Sequence, residues 1–128
     1  MASKPVAPKS VTAPTANYAL GTSTWYANQW LHTAGIGPVG TDGSVPDDIG
    51  KQAAAVWTTL RALLSEVKMT TNDVVSITTY VVSGNDVGPV MAARDSALGR
   101  HKCASTLVYV PALVNDSWKV EIALVAAQ

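Results

Sequence analysis

Hydrophobic and polar positions change period several times along the chain, and each change marks an element. Ile49, Ala53, Val56, Leu60, Leu63 and Val67 recur at alternating steps of four and three. That spacing places them on one helical stripe, with Lys51, Thr58, Arg61 and Ser65 largely opposite. Asp47 or Asp48 supplies the acidic start that caps a helix and complements its dipole. The helix is expected to end near Lys68, before a turn at Thr70-Thr71-Asn72-Asp73. The period then falls to two in VVSITTYVV, Val74 to Val82. Val75, Ile77, Thr79 and Val81 alternate with Val74, Ser76, Thr78 and Tyr80, as in a strand with one side on helices. SGNDVGP reads as a loop, and Pro89 to Leu98 as a second helix with Val90, Ala93, Ala97 and Leu98 inward. Strands follow over about Ala104 to Val110 and Trp118 to Ala126. In the last, Trp118, Val120, Ile122 and Leu124 form one face, and Lys119, Glu121, Ala123 and Val125 the other. Upstream, TWYANQWLHTAG (Thr24 to Gly35) predicts two short strands around Ala27-Asn28-Gln29. GIGPVGTDGSVPDD is a broad loop.

The expected order is strand, strand, helix, strand, helix, strand, strand. One layer of two helices covers one face of such a sheet. The other face, expected to carry Tyr80, Leu107, Tyr109 and Val125, must meet another surface, so oligomerisation is anticipated. Residues 1–14 are rich in Pro, Ala, Ser and Thr and read as a flexible arm. Residues 15–128 read as a single domain.

Composition narrows the functional classes. A chain of 128 residues can bury a core without metal or disulfide staples. Its 9 basic and 9 acidic residues cancel, which argues against a strongly basic nucleic-acid binder. The single cysteine cannot form an internal disulfide and points to a reducing compartment. The first residues lack the apolar core of a signal peptide, and no window reaches the ~20 apolar residues of a membrane span. A soluble, cytoplasmic protein is expected. With one Cys, two His and no CxxC or HxxxH, a dedicated zinc site is not indicated.

Five features are candidates for chemistry. Cys103 sits in RHKCASTLVYV, between basic residues and a strand. A lowered thiol pKa would make it a nucleophile. Strand alternation, however, turns Lys102 away from it and favours a small semi-buried filler. Glu121 lies in the apolar WKVEIALVAA, and a carboxylate there is either used or paired, for example with Lys119 or a neighbouring subunit. His32 in WLHTAG could shuttle protons, but the favoured reading is a hydrogen-bonded strand histidine. Gly35, Gly37 and Gly40 fail the GxGxxG spacing of a nucleotide site. Trp25, Tyr26 and Trp30 could stack bases, yet without nearby cations packing in a core or interface is favoured.

Taken in order, these segments resemble the YjgF/RidA (Rid) family from about Asn17 to Ala126. Asn17-Tyr18 is similar to its Pro-Tyr-Ser element, LHTAGIGP to its Ser-Gly-Gln-x-Pro strand end, and DGSVPDDIGKQAAAVWTTLRALL to its acidic loop and first helix. NDVVSITTYVV and KVEIALVA are similar to its next and terminal strands. The resemblance implies an α+β, chorismate-mutase-like fold assembled as a homotrimer, with small-molecule clefts between subunits. It implies cofactor-free hydrolysis of reactive imines or enamines, releasing ammonia. Non-catalytic ligand binding, a stress-protective role and ribonuclease activity are the alternatives. Carried across, the catalytic residue is Glu121, and Tyr18 and Gly35 contact the substrate. Ser105 stands where the family's carboxylate-clamping arginine is usual, Ala34 where serine is usual and Met91 where asparagine is usual. Arg94, Arg100 or Lys102 are the candidate substitutes for the missing cation, and Ser105, Cys103 and Arg94 complete the expected substrate-binding set.

Overall fold

The computed structural model describes residues 2–128. Its strands are β1 (Ala2–Val6), β2 (Gly21–Trp25), β3 (Trp30–His32), β4 (Val74–Val82), β5 (Ala104–Val110) and β6 (Val120–Ala127). The helices are α1 (Ile49–Glu66) and α2 (Gly88–Leu98). Four strands form a mixed sheet in the order β3-β6-β4-β5. β4 and β5 are parallel and joined through α2, while β6 runs antiparallel to both β3 and β4. The segment expected as a flexible arm carries β1, which pairs antiparallel with β2 from Ala2↔Trp25 to Val6↔Gly21.

Asp48 is the N-cap of α1, its Oδ2 accepting the Lys51 amide at 2.9 Å. The helix buries Gln52, Ala53, Val56, Trp57, Leu60 and Leu64. The expected stripe placed Leu63 and Val67 at its far end, but both are only half-buried. The helix packs on α2 as well as on β6, so its buried face is rotated and wider than a single-contact stripe. Lys68 adopts a left-handed conformation (φ 61°), closing the helix end without a glycine. Thr70 and Asp73 form a reciprocal capping box around a short 3-10 turn that leads into β4.

Two expectations about strand faces change. Pairing runs Val74↔Ala126 and then Ser76↔Val125, so a bulge resets the alternation at the start of β4. Val74 therefore joins the core cluster under the helices, and Val75, though buried, lies outside that cluster. His101 holds this bend, its Nε2 lying 2.6 Å from the Val74 carbonyl oxygen. In the parallel ladder, Ile77, Thr79 and Val81 pair with Ser105, Leu107 and Tyr109. Leu107 and Tyr109 thus share the helix-covered side, and Val108 takes the outward place beside Tyr80. Tyr109 stays half-exposed because β5 is the sheet's edge, and its hydroxyl donates to Asn85 O at 3.2 Å. The uncovered face carries Ser76, Thr78 and Tyr80 from β4, Thr106 and Val108 from β5, and Glu121, Ala123 and Val125 from β6.

Candidate functional site

Glu121 projects from β6 onto the uncovered face, directly opposite Tyr80 of β4. The chain from Thr33 to Ile36 is strapped along the other edge of this strand. The Ile36 amide donates to Ile122 O at 2.8 Å, and the Ile122 amide returns to Ile36 O at 3.1 Å. Thr33 adds two more bonds, its amide to Leu124 O and its hydroxyl accepting the Leu124 amide, both at 3.0 Å. This register brings Gly35 against the Glu121 side chain. A Cβ at position 35 would fall 2.7 Å from the Glu121 carboxyl carbon and closer still to one oxygen. Only a residue without a side chain lets the carboxylate lie against the backbone there. Two residues on, the Trp118 indole lies flat over Gly37, where a Cβ would overlap the ring.

Glu121 is half-buried and, among the described residues, has no ion pair. The anticipated Lys119 partner is engaged elsewhere, its Nζ donating to Asp47 O. What fixes the approach to Glu121 is Gln52, a fully buried side chain on α1. Its Oε1 accepts the Lys119 amide at 2.8 Å, and its Nε2 donates to Pro46 O at 2.8 Å and Ser117 O at 2.9 Å. One amide thus ties the helix start, the broad loop and the entry to β6 together. The sequence held a signal for it, because Gln52 lies three residues from Ile49 and four from Val56, inside the apolar stripe.

The remaining expected residues gather on the helix-covered side of the β5 edge. Cys103 is 1% exposed and belongs to the core. Burial pushes its thiol up to about 11, against the opposing pull of the nearby Arg94 guanidinium. The charged neighbour of the thiol is therefore Arg94 from α2. His101, nearest in sequence, is committed to Val74. Arg94 is itself buried, its Nε donating to Asp95 Oδ1 at 3.1 Å and its Nη2 lacking a partner. Ser105 pairs with Ile77 and so faces the same side as Cys103. Tyr18 is half-buried just before Ala19, whose amide donates to Cys103 O at 2.9 Å. It borders a cavity of ≈390 Å³ with Val6, Val11, Leu20 and Lys102, which Glu121 and Gly35 do not line.

Two groups of expected residues therefore lie on opposite sides of the sheet: Glu121 with Gly35 on the uncovered side, and Ser105 with the buried Cys103 and Arg94 on the other. Other expectations shift too. His32 stacks on Trp30, ring centroids 6.4 Å apart, in place of the anticipated hydrogen bond. Trp25, Tyr26 and Trp30 are 40%, 85% and 50% exposed, so none of them is core. Among the described residues no cluster of three metal-ligating side chains occurs, and no helix is long and apolar enough to cross a membrane.

A mixed sheet with two helices on one face matches the fold of the YjgF/Rid class. The family model described as Endoribonuclease L-PSP matches residues 9–128, and the chain belongs to this YjgF/Rid family. Among solved structures it is similar to the Rid family protein YyfB of Yersinia pestis, itself described as of unknown function. The two share 22% identity over 100% of both chains, with a TM-score of 0.87. The YjgF product of E. coli is 26% identical over 98% of both chains, with a TM-score of 0.72. E. coli TdcF, solved with bound serine, is 20% identical over 98% of both chains, with a TM-score of 0.72. No curated protein sequence matches the chain.

Proposed function

We propose that this protein is a Rid-type hydrolase that acts on a reactive imine, enamine or related small carbonyl compound and releases ammonia. The observation that carries this reading is the apposition of the Glu121 carboxylate and the Gly35 backbone on the uncovered sheet face. The carboxylate accepts a proton from water and directs its oxygen at the electrophilic carbon. The adjacent backbone amide stabilises the negative charge that develops on the substrate. Attack on the C=N carbon forms one C–O bond, and the nitrogen leaves as ammonia after taking up the water protons.

The two groups meet between copies in this reading. Three chains bury their uncovered faces against one another, and the β5 edge of one copy, with Ser105 and Tyr18 at its surface and Cys103 and Arg94 buried behind them, approaches Glu121 and Gly35 of the next. Burial of Val108, Val125 and Tyr80 drives this association. The serine bound to TdcF supports a ligand of amino-acid size. Ser105 donates a hydrogen bond where a guanidinium would clamp a carboxylate, a change of about ten- to a hundred-fold in affinity for small carboxylates. A soluble cytoplasmic enzyme without a cofactor fits this chemistry.

The test is ammonia release from freshly generated imino acids, with Glu121→Gln as the variant. An about 100-fold or greater loss with an unchanged fold supports the role of Glu121. Equal rates remove Glu121 from the mechanism, and no turnover of any imine by the parent removes the hydrolase reading. A second reading is ligand holding without turnover. It is favoured by the aliphatic Ala123, Val125 and Val108 around a lone carboxylate, and it predicts saturable binding of small amino acids without product.

A further inference from the structure

The strand β1, which the catalytic reading does not use, forms one wall of a separate cavity of ≈280 Å³. Ser3 and Lys4 line it from β1, Thr22 from β2, and Arg100, His101 and Lys102 from the loop between α2 and β5. No acidic residue borders it, although acidic and basic residues balance over the whole chain. Among the described residues the one ion pair is Arg94 with Asp95, so Arg100 and Lys102 border the cavity without a carboxylate partner. Unpaired like charges around one concavity repel one another, and a low-dielectric wall focuses their field outward. Among the described residues no carboxylate borders the cavity to offset that repulsion, whereas a bound anion would.

The walls are held in place. Thr22 Oγ1 accepts the Ala104 amide at 2.9 Å, tying β2 to the start of β5. The Ser3 and Thr24 hydroxyls lie 2.9 Å apart across the ribbon. Lys4 Nζ sits 5.9 Å from the Trp25 ring centroid, on the face of the ribbon opposite Ser3 and Thr22, so its ammonium turns away from the cavity. His101 Nε2 is bound to the Val74 carbonyl, so the imidazole shapes the cavity and Arg100 and Lys102 supply the charge. Guanidinium, ammonium and hydroxyl donors facing one space are the set that recognises phosphate or clustered carboxylate oxygens.

We propose that this cavity is a binding site for a small polyanion, a phosphate-bearing or multiply carboxylated metabolite, distinct from the Glu121 and Gly35 pair. Because β1 supplies Ser3, an occupied site also fastens the β1–β2 ribbon to the sheet. The inference stands apart from the hydrolase reading, since Glu121 and Gly35, which carry that reading, do not line this cavity.

Isothermal calorimetry of the full chain with pyrophosphate, inorganic phosphate and citrate tests it. Saturable pyrophosphate or citrate binding is expected. Arg100→Ala and Lys102→Ala should each weaken it by about ten-fold. Lys51→Ala, which removes an exposed cation of α1, should leave it unchanged. Raising salt from 0.1 to 0.5 M should weaken binding further. The ratio of pyrophosphate to citrate affinity separates a phosphate ligand from a polycarboxylate. Hydrogen exchange of the β1 amides should slow on binding. The proposal is overturned by absence of binding at millimolar anion. It is overturned equally by binding that Arg100→Ala/Lys102→Ala leaves intact, or by an RNA oligonucleotide binding more tightly than pyrophosphate at equal salt.

Discussion

Replacing Gln52 by leucine isolates the polar clamp that positions the entry to β6. Leucine has a similar volume, so the perturbation is the loss of three hydrogen bonds, to Lys119 N, Pro46 O and Ser117 O. Each contributes about 1 kcal/mol net, and a donor or acceptor left dry costs about 1–3 kcal/mol. Ser117 is exposed and its carbonyl can turn to water, whereas Lys119 and Pro46 are half-buried. Burial of the larger apolar side chain offsets part of the loss. The sum is a destabilisation of about 2–4 kcal/mol, or a fall in Tm on the order of 10 °C for a chain of this length. Urea unfolding followed by circular dichroism, at one fixed protein concentration, measures it. Hydrogen exchange at the Lys119 amide supplies the local readout, since that proton loses its acceptor. A change below about 0.5 kcal/mol with undiminished Lys119 protection would refute the clamp.

Two further outcomes follow from the same geometry. Gly35→Ala forces the Glu121 carboxylate off the backbone, so ammonia release should fall at least ten-fold while the urea midpoint moves little; unchanged turnover would show that the apposition is incidental. The raised thiol pKa of Cys103 makes stability depend on alkaline pH. The unfolded chain loses the thiol proton near pH 9 and the folded chain near 11, so stability is full below 9 and declines as pH rises from 9 to 11. Urea midpoints at pH 8 and 10.5 should differ more for the parent than for Cys103→Ala, and equal differences would exclude the thiol as the cause.

The elements were legible because their signals are local. The step of three and four that announces α1, the alternation of β4 and the span of β5 follow from residues near one another in sequence. Parity across strands was not, since it depends on which partner a strand meets. The bulge at Val74 moves that residue into the core, and the parallel register of β4 with β5 turns Leu107 and Tyr109 toward the helices. Periodicity fixes which residues alternate, but only pairing assigns the two sets to faces.

The candidate site divides along the same line. A carboxylate within KVEIALVA marked Glu121, and the resemblance to the Rid family drew attention to Gly35 and Ser105. That Gly35 touches Glu121 depends on the strapping of Thr33 to Ile36 along β6, a contact between segments more than eighty residues apart. Lys119 was the plausible neutralising partner by alternation, yet a nearby backbone carbonyl, Asp47 O, holds its ammonium instead. The N-terminal residues, read as an arm from their Pro and Ala content, carry a strand because β2 offers them an unpaired edge. By itself the sequence determined the order of the elements after β1, the family and the chemical types available. Tertiary structure decided which carboxylate meets which glycine, which cations share a cavity, and which face of the sheet stays uncovered. Those outcomes rest on register and long-range hydrogen bonds, which no local window encodes.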